Sequence, residues 1–327
     1  MATIRDVAKK AGVSVATVSR VLNQNGYVNA ETEKKVMEAI QDLNYKPNAV
    51  ARSLFKKKSK TVGLIVPDIT NPFFPEIARA VEDITNSNQY TLIQCNSDEQ
   101  AGKEKEYLEV LKQKYVDGVI LISNTIKSEQ IRELDIPVVF IDRPNQENIP
   151  TVVSNNYEGA KEAVHYLQET GCRVIAHIKG PDYIIPSQER LRGYLEVVKN
   201  ESWFHDGLVA GGHYQLDTAV EAAKSILLEF PEIDGIFAGN DIMAIGVLKA
   251  VQQLGKKVPE DVSIVGFDGI AISKMTFPEL TTIAQPIYQM GALAAEKLIQ
   301  LIEGEQIESF YEELEVELVK RQTTRQE

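Results

Sequence analysis

The feature that most constrains the fold is a regular alternation of apolar segments with amphipathic helical segments, in two successive series. The first series contains TVGLIVPD, YTLIQCNSD, VDGVILIS, IPVVFIDR and TVVSNNYEGA, and the second contains RVIAHIKGP, GLVAGGHY, DGIFAGND and VSIVGFDG. Helical patterns lie between them at 76–86, 104–114, 188–199, 217–228 and 242–254. Near-continuous apolar strands alternating with helices are typical of parallel sheets covered by helices. The pattern therefore predicts two similar α/β subdomains.

Charge divides the 327-residue chain into a small basic part and a large acidic part. Residues 1–60 contain 12 Lys/Arg and 5 Asp/Glu, a net charge of +7, whereas the remaining residues contain 23 and 42, a net charge of −19. Such asymmetry indicates a nucleic-acid-binding module fused to an acidic body. Because the body repels a polyanion, we expect DNA contacts to come from the first 60 residues.

The basic part has the pattern of a helix-turn-helix module. In TIRDVAKKAGVS the apolar residues recur at the spacing of one helix face, and Gly12 suits a left-handed C-cap. Ser14 offers a hydroxyl N-cap to a second helix over 15–22, and a third apolar stripe follows Asn29. A helix, a tight glycine turn, a second helix and a supporting helix form a helix-turn-helix domain.

The second helix begins with small outward-facing residues, which suit entry into DNA. Val15 and Ala16 allow its N-terminus to approach a major groove about 12 Å wide and to contact base edges. The hydroxyls of Ser14, Thr17 and Ser19 can hydrogen-bond to phosphates, and Arg20 can reach guanine or phosphate. Other three-helix bundles show similar apolar helix faces. The assignment of this module to DNA binding therefore depends largely on its local positive charge. The DNA-contact candidates in this module are Thr3, Ser14, Val15, Ala16, Thr17, Ser19, Arg20 and Asn23.

The segment YKPNAVARSLFKKKSK predicts a short hinge helix after this module. Pro47 interrupts the chain, and a helix over 49–54 is so short that we expect it to order only on DNA. Leu54 is suited to act as an apolar wedge between base steps. On composition alone, a solvated linker is an equal alternative. The candidate DNA contacts here are Asn48, Ala51, Arg52 and Leu54.

Polar and aromatic residues recur where the apolar strands end. NPFF, DRP, SNN, GND and FDG supply carboxylates, amides, an arginine and aromatic rings. Ligands of open α/β sheets bind beyond the carboxyl ends of the strands. Charged and amide groups bond hydroxyls, and rings cover the apolar faces of a sugar, so the set predicts a polyhydroxyl ligand. Taken singly, Asp and Asn at these positions more often cap helices or end turns.

Several other classes of protein lack support in the sequence. Cys95 and Cys172 show no metal-ligand or disulfide spacing, and the four histidines show no HExxH pattern. Walker A, GxGxxG and GxSxG motifs are absent, so we expect no enzyme, cofactor or metal. No apolar run reaches the roughly 18 residues of a membrane span, and no signal-peptide pattern opens the chain. We therefore expect a cytoplasmic protein.

The chain resembles the LacI/GalR family of bacterial transcription regulators. The resemblance rests on TIRDVAKKAGVSVATVSRVLN, LNYKPNAVARSL, NPFF, GNDIMAIG, VSIVGFDG and LTTIAQP. It implies an all-α helix-turn-helix module plus an α/β periplasmic-binding-protein-like core of two Rossmann-like subdomains, with the effector in their cleft. The implied domains are 1–46 for the helix-turn-helix, 47–60 for the hinge, 61–160 with 291–320 for the first subdomain, and 161–290 with 321–327 for the second.

Within the family, NGYV, ARSL, DITNPFFP and the TTR tail are most similar to ribose operon repressors. The resemblance implies a homodimer that binds a pseudopalindromic operator and is released by D-ribose. Tyr214 stands where the family usually has Phe or Trp, and Phe55 stands where some relatives have Lys. The implied effector-binding residues are Asn71, Phe73, Phe74, Asp142, Arg143, Asn156, Arg190, Tyr214, Asn240, Asp268 and Gln285.

Two alternative functions deserve comparison with a ribose repressor. A catabolite-control-type regulator, activated by a phosphorylated carrier protein or another effector, shares the architecture but needs no complete sugar-binding set. A secreted sugar-binding protein would not need the helix-turn-helix pattern. The tail VELVKRQTTRQE lacks the leucine heptads that would favour a tetramer, so we expect a dimer.

Overall fold

A computed structural model describes residues 2–23, 26–45, 58–123, 125–126, 131, 133–143 and 149–326, with only the backbone of Asn23. The chain divides into two compact units, Met1–Ser59 and Lys60–Glu327. Among the described residues, no helix has the length and apolar character needed to cross a bilayer.

Within the described part of the smaller unit, three helices pack around an apolar core: α1 Ile4–Ala11, α2 Val15–Asn23 and α3 Ala30–Asp42. Thr3 and Asp6 form a capping box at the start of α1, and Gly12 ends it with φ 68°, in the left-handed region. Val18 and Val36 are completely buried between the helices. The predicted helix-turn-helix pattern is confirmed.

The described residues of the larger unit form two six-stranded sheets covered by helices. Its strands are β1 Thr61–Val66, β2 Thr91–Asn96, β3 Gly118–Leu121, β4 Val138–Ile141, β5 Thr151–Ser154, β6 Ile175–Lys179, β7 Val209–Gly211, β8 Gly235–Ala238, β9 Ser263–Asp268, β10 Thr281–Ala284, β11 Tyr311–Leu314 and β12 Glu317–Val319. Its α-helices are α4 Phe73–Ser87, α5 Ala101–Gln113, α6 Asn156–Glu169, α7 Ile185–Val198, α8 Leu216–Glu229, α9 Asp241–Gln253 and α10 Ile287–Glu303, and short 3₁₀ helices occupy Asp206–Leu208 and Ala271–Lys274.

The two sheets have the same strand arrangement, which confirms the predicted pair of α/β subdomains. The first has the order β11-β5-β4-β3-β1-β2, and the second has the order β12-β10-β9-β8-β6-β7. Neighbouring strands are parallel except β10 and β12, which are antiparallel. The carboxyl ends of the parallel strands in each sheet therefore share one edge, where a ligand site is expected.

The chain crosses between the subdomains three times, in loops rather than within helices. The crossings lie at Asn155, at Gln285–Pro286 and at residues 315–316. The boundaries expected at 160, 290 and 320 are therefore several residues too late. A helix is a rigid body that packs on one sheet: Ala160 of α6 lies in the core of the second subdomain, and Ile287 of α10 lies in the core of the first.

A buried histidine lies in the core of the second subdomain. The ring of His177 on β6 stacks against Tyr194 and Phe237, with centroids 5.1 and 4.8 Å away. Its Nδ1 lies 2.9 Å from the Phe237 carbonyl oxygen, and its Nε2 has no hydrogen-bond partner among the described residues. Burial lowers the pKa of His177 to about 4.

We expect His177 to make the folded state less stable in mild acid. The unfolded imidazole takes up a proton near pH 6.5, whereas folded His177 stays neutral down to about pH 4, so the free energy of unfolding falls as the pH drops below 6.5. Relative to His177→Phe, wild type should lose about 1.3 kcal/mol between pH 7.5 and pH 5.5. Denaturant unfolding of both proteins at the two pH values measures this loss. Carboxylates contribute equally in both proteins, so the difference between them isolates the histidine. A difference that does not change with pH would contradict the prediction.

Candidate functional site

A cavity of about 450 Å³ lies at the carboxyl ends of the strands, between the two subdomains of the larger unit. Both subdomains supply its walls, and its size suits a small-molecule ligand. The sequence-predicted effector residues that line it are Asn71, Phe73, Phe74, Asp142, Arg190, Tyr214, Asn240, Asp268 and Gln285.

The floor of the cavity is a buried ion pair. Nη1 of Arg190, on α7, lies 3.1 Å from Oδ1 of Asp268, and both side chains are almost completely buried. Gln285 donates from Nε2 to the same oxygen at 2.7 Å, while the Arg190 guanidinium stacks over the Phe267 ring at 3.8 Å. Because each charge is paired and hydrogen-bonded, the floor presents fixed donors and acceptors to a ligand.

Two predicted contact residues lie outside the cavity wall. Asn156 lies behind Arg190: it accepts a 2.8 Å hydrogen bond from Nε of Arg190 and donates one of 2.9 Å to the Ser154 carbonyl. Arg143 stacks over Phe140 at 4.5 Å and donates to the Ile126 carbonyl. Successive side chains at a strand end point to opposite sides, so Asp142 and Arg143 do not both face the cavity. In this structure Asn156 positions Arg190 rather than lining the cavity.

Two polar atoms in the cavity wall lack partners. Asp142 Oδ1 and the Tyr214 hydroxyl are buried and make no hydrogen bond within the described part of the chain. Burial raises the pKa of Asp142 to about 7 and that of Tyr214 to about 12. Buried polar groups are normally hydrogen-bonded, so both atoms are available to hydrogen-bond with a ligand in the cavity.

The two phenylalanine rings meet edge to face and form a corner in the cavity wall. The Phe73 and Phe74 rings are 5.2 Å apart with an interplanar angle of 87°. Phe73 also belongs to the first subdomain's core, and its amide donates to Oδ1 of Asn71 at 3.1 Å. Asn71 thus shapes the turn that presents both rings.

Buried Asp241 supports the turn that carries Asp268. Its Oδ1 accepts a 2.6 Å hydrogen bond from the Thr282 hydroxyl, and its Oδ2 accepts one of 2.9 Å from the Ile270 amide. Asp268 itself has φ 104°, a conformation that L-residues rarely adopt. Burial raises the pKa of both carboxyls.

The entrance of the cavity contains residues that sequence reasoning missed: Asp68, Asp98, Glu99, Tyr183, His213 and Gln215. Asp98 and Glu99 follow β2, so they could have been found by extending to YTLIQCNSDE the search for polar residues at strand ends. Tyr183 lies several residues beyond β6, and no local pattern indicates that it folds back over the cavity. Among the described residues, no cluster of three or more His, Cys, Asp or Glu could hold a metal ion.

The helix-turn-helix unit exposes the start of α2. Ala16 and Arg20 are exposed, and Val15 is 41% exposed. The Ser14 hydroxyl accepts a 3.1 Å hydrogen bond from the Thr17 amide, as the predicted N-cap requires. The Thr3 hydroxyl donates a 2.7 Å hydrogen bond to Oδ2 of Asp6 within the capping box. The other candidates Asn48, Ala51, Arg52 and Leu54, and the side chain of Asn23, lie outside the described residues.

Comparison with known families identifies both parts of the chain. Residues 3–48 match the model described as "Bacterial regulatory proteins, lacI family". Residues 59–321 match "Periplasmic binding proteins and sugar binding domain of LacI family". Together these matches span the helix-turn-helix unit and nearly all of the larger unit.

Curated relatives match along their full length. The ribose operon repressor of Halalkalibacterium halodurans is 48% identical over 99% of this chain and 98% of the relative. That of Bacillus subtilis is 43% identical over 100% of both chains. Catabolite control protein A of Priestia megaterium is 39% identical over 99% of both.

Solved structures with similar folds include complexes with DNA and with sugar. The lac repressor dimer bound to operator and the anti-inducer ONPF superposes with a TM-score of 0.87, at 27% identity over 98% of both chains. A transcriptional regulator from Enterococcus faecium with bound ribose has a TM-score of 0.73, at 29% identity over 81% of this chain and 98% of that chain.

Proposed function

The chain belongs to the LacI family of bacterial regulatory proteins, and from this premise we propose that it represses a ribose-utilisation operon and is released from its operator by D-ribose. It is a regulator rather than an enzyme, like the relatives it matches. A DNA-binding regulator acts where the chromosome is, so we place it in the cytoplasm.

The observation that carries the proposal is the buried polar floor of the cavity. The Arg190–Asp268 pair, the Asp142 oxygen without a partner and the phenylalanine corner present acceptors, donors and apolar surface together. A pentose has the same combination of hydroxyl groups and apolar faces, and about 450 Å³ is room enough for it. The Enterococcus faecium regulator, which carries bound ribose, supports this choice of ligand.

We propose that DNA is read by α2 from two copies of the chain on a pseudopalindromic operator. One helix-turn-helix contacts few base pairs, so a homodimer is needed for specificity, and the lac repressor complex with operator is a dimer. Ribose must bind the DNA-incompetent arrangement more tightly, since equal affinity for both would shift nothing. The hinge at 49–54, with its Leu54 wedge, is the proposed route by which subdomain movement reaches DNA.

The second candidate function is catabolite control through a phosphorylated carrier protein, which the Priestia megaterium relative supports. It ranks lower because the ribose operon repressors are more similar. A regulator that answers to a carrier protein also has no need of a complete set of sugar-binding groups.

Thermal unfolding against a panel of sugars, phosphorylated sugars and purines tests the proposal. A ligand that binds only the folded state at 100 times its Kd adds about 2.7 kcal/mol to the free energy of unfolding. We expect D-ribose alone to raise the Tm by several degrees, and the same concentration to release labelled operator DNA. A Tm rise with a purine or a phosphorylated sugar, and none with ribose, would overturn the assignment of the effector.

A further inference from the structure

We propose that Glu99 and Tyr183 form a latch that closes the cavity entrance over a bound sugar, and that Glu99 at this entrance selects against phosphorylated sugars. The proposal rests on the ribose-binding function above and adds residues that control access and ligand class. Neither residue belongs to the buried floor.

The latch is a hydrogen bond between the two subdomains. The Tyr183 hydroxyl donates to Glu99 Oε2 at 2.5 Å. Glu99 follows β2 of the first subdomain and Tyr183 follows β6 of the second, and both line the cavity. Tyr183 is 58% exposed, so the bond lies at the solvent side of the cavity, where it can break to admit a ligand. The hydrogen bond to the Glu99 carboxylate also raises the pKa of Tyr183 to about 12.

A tight turn holds Glu99 in place at the entrance. Asp98 and Glu99 have φ values of 53° and 55°, both in the left-handed region that non-glycine residues seldom occupy. The Asp98 carboxylate accepts hydrogen bonds from Nζ of Lys103 at 2.6 Å and from Nδ2 of Asn96 at 2.5 Å. Asn96 in turn accepts a 2.7 Å hydrogen bond from the Ile69 amide. Strained backbone that side chains hold in place is typical of ligand clamps.

Among the described residues, two carboxylates at the entrance have no ion-pair partner. Asp98 is paired with Lys103, and in the floor Arg190 is paired with Asp268. Asp68 and Glu99 have no lysine or arginine partner within the described part of the chain. A phosphate dianion entering here would meet two carboxylates, whereas a neutral sugar would not. The basic groups that line the cavity, Arg190 and His213, do not pair with either carboxylate.

Two substitutions separate the hydrogen bond from the charge. Tyr183→Phe keeps the ring but removes the donor, so the Kd for D-ribose should rise about fivefold, mainly through faster dissociation. Glu99→Gln keeps an oxygen acceptor but removes the charge, so ribose affinity should fall less than in Tyr183→Phe, by about two- to threefold, while affinity for ribose 5-phosphate rises about tenfold. Tyr115→Phe and Glu106→Gln, at exposed positions outside the cavity lining, are the matched controls.

Calorimetry on the full chain measures both ligands, and hydrogen exchange at residues 97–100 and 182–184 measures the latch without sugar. Tyr183→Phe should speed exchange in both segments, whereas Tyr115→Phe should not. An unchanged ribose Kd and unchanged exchange in Tyr183→Phe would overturn the latch, and an unchanged phosphosugar affinity in Glu99→Gln would overturn the selection. Wild-type protein that binds no ribose would overturn the proposed function instead, and the exchange result would still decide whether the latch exists.

Discussion

Asp268→Asn is expected to abolish the release of operator by ribose while leaving operator binding intact. The Asp268 carboxylate pairs with Arg190 at 3.1 Å and accepts from Gln285 at 2.7 Å, in a place with almost no solvent. Removing one charge of a buried pair leaves the other unpaired, at a cost of about 3–5 kcal/mol. A sugar that depends on this pair should therefore bind at least about a hundredfold more weakly.

The substitution is close to isosteric, so the main change is charge. The asparagine amide still has an oxygen for Gln285, and the residues proposed to contact DNA belong to the other compact unit. We expect operator affinity within about twofold of wild type and a Tm lowered by roughly 5–10 °C, since Arg190 is left without its carboxylate.

Operator binding with and without ribose, followed by fluorescence anisotropy, measures the effect of Asp268→Asn. Glu232→Gln is the matched control, because Glu232 is exposed just before β8, at the opposite edge of the sheet from the cavity. Normal release of operator by ribose in Asp268→Asn would place the effector elsewhere. Loss of operator binding in the absence of sugar would show that Asp268 serves the DNA-binding state as well.

The local sequence pattern was sufficient to predict the helices and strands of this fold and their arrangement in layers. Apolar runs such as TVGLIV are buried as strands because both faces of the sheet are covered. Gly12 ends α1 because the backbone there adopts a left-handed conformation, which glycine tolerates best. The crossing points were placed too late because a helix pattern does not say which sheet the helix packs on. Gly291 illustrates this: a Cβ there would lie 2.7 Å from the Ile77 carbonyl oxygen on α4, a contact visible only in three dimensions.

Six of the cavity-lining residues follow strand ends in the sequence pattern, and the family resemblance added Arg190, Tyr214 and Gln285, but neither gave the direction of individual side chains. Asp142 and Arg143 are adjacent in sequence, yet only Asp142 faces the cavity, while Asn156 serves Arg190 from behind. The entrance residues Glu99 and Tyr183 meet across a separation of 84 residues. Such a contact depends on how two subdomains close on each other, which no periodicity in either segment encodes.

Ala16→Glu is expected to reduce operator affinity at least about a hundredfold without changing affinity for ribose. Ala16 is exposed in the first turn of α2, where a small side chain permits close approach to base edges. A glutamate there adds both volume and a negative charge next to phosphates. It should not unfold the helix, because an acidic residue in a first turn interacts favourably with the helix dipole.

Ala16→Gln separates volume from charge, since the two substitutions have almost the same size. We expect Ala16→Gln to lose roughly tenfold in operator affinity, with the remaining loss in Ala16→Glu growing as the salt concentration is lowered. Anisotropy measured on operator sequences selected by the wild-type protein, together with ribose calorimetry, gives both affinities. Operator binding by Ala16→Glu equal to that of wild type would mean that the start of α2 does not enter the groove. DNA contact would then have to come from another face of the basic N-terminal unit, because the body carries the net negative charge.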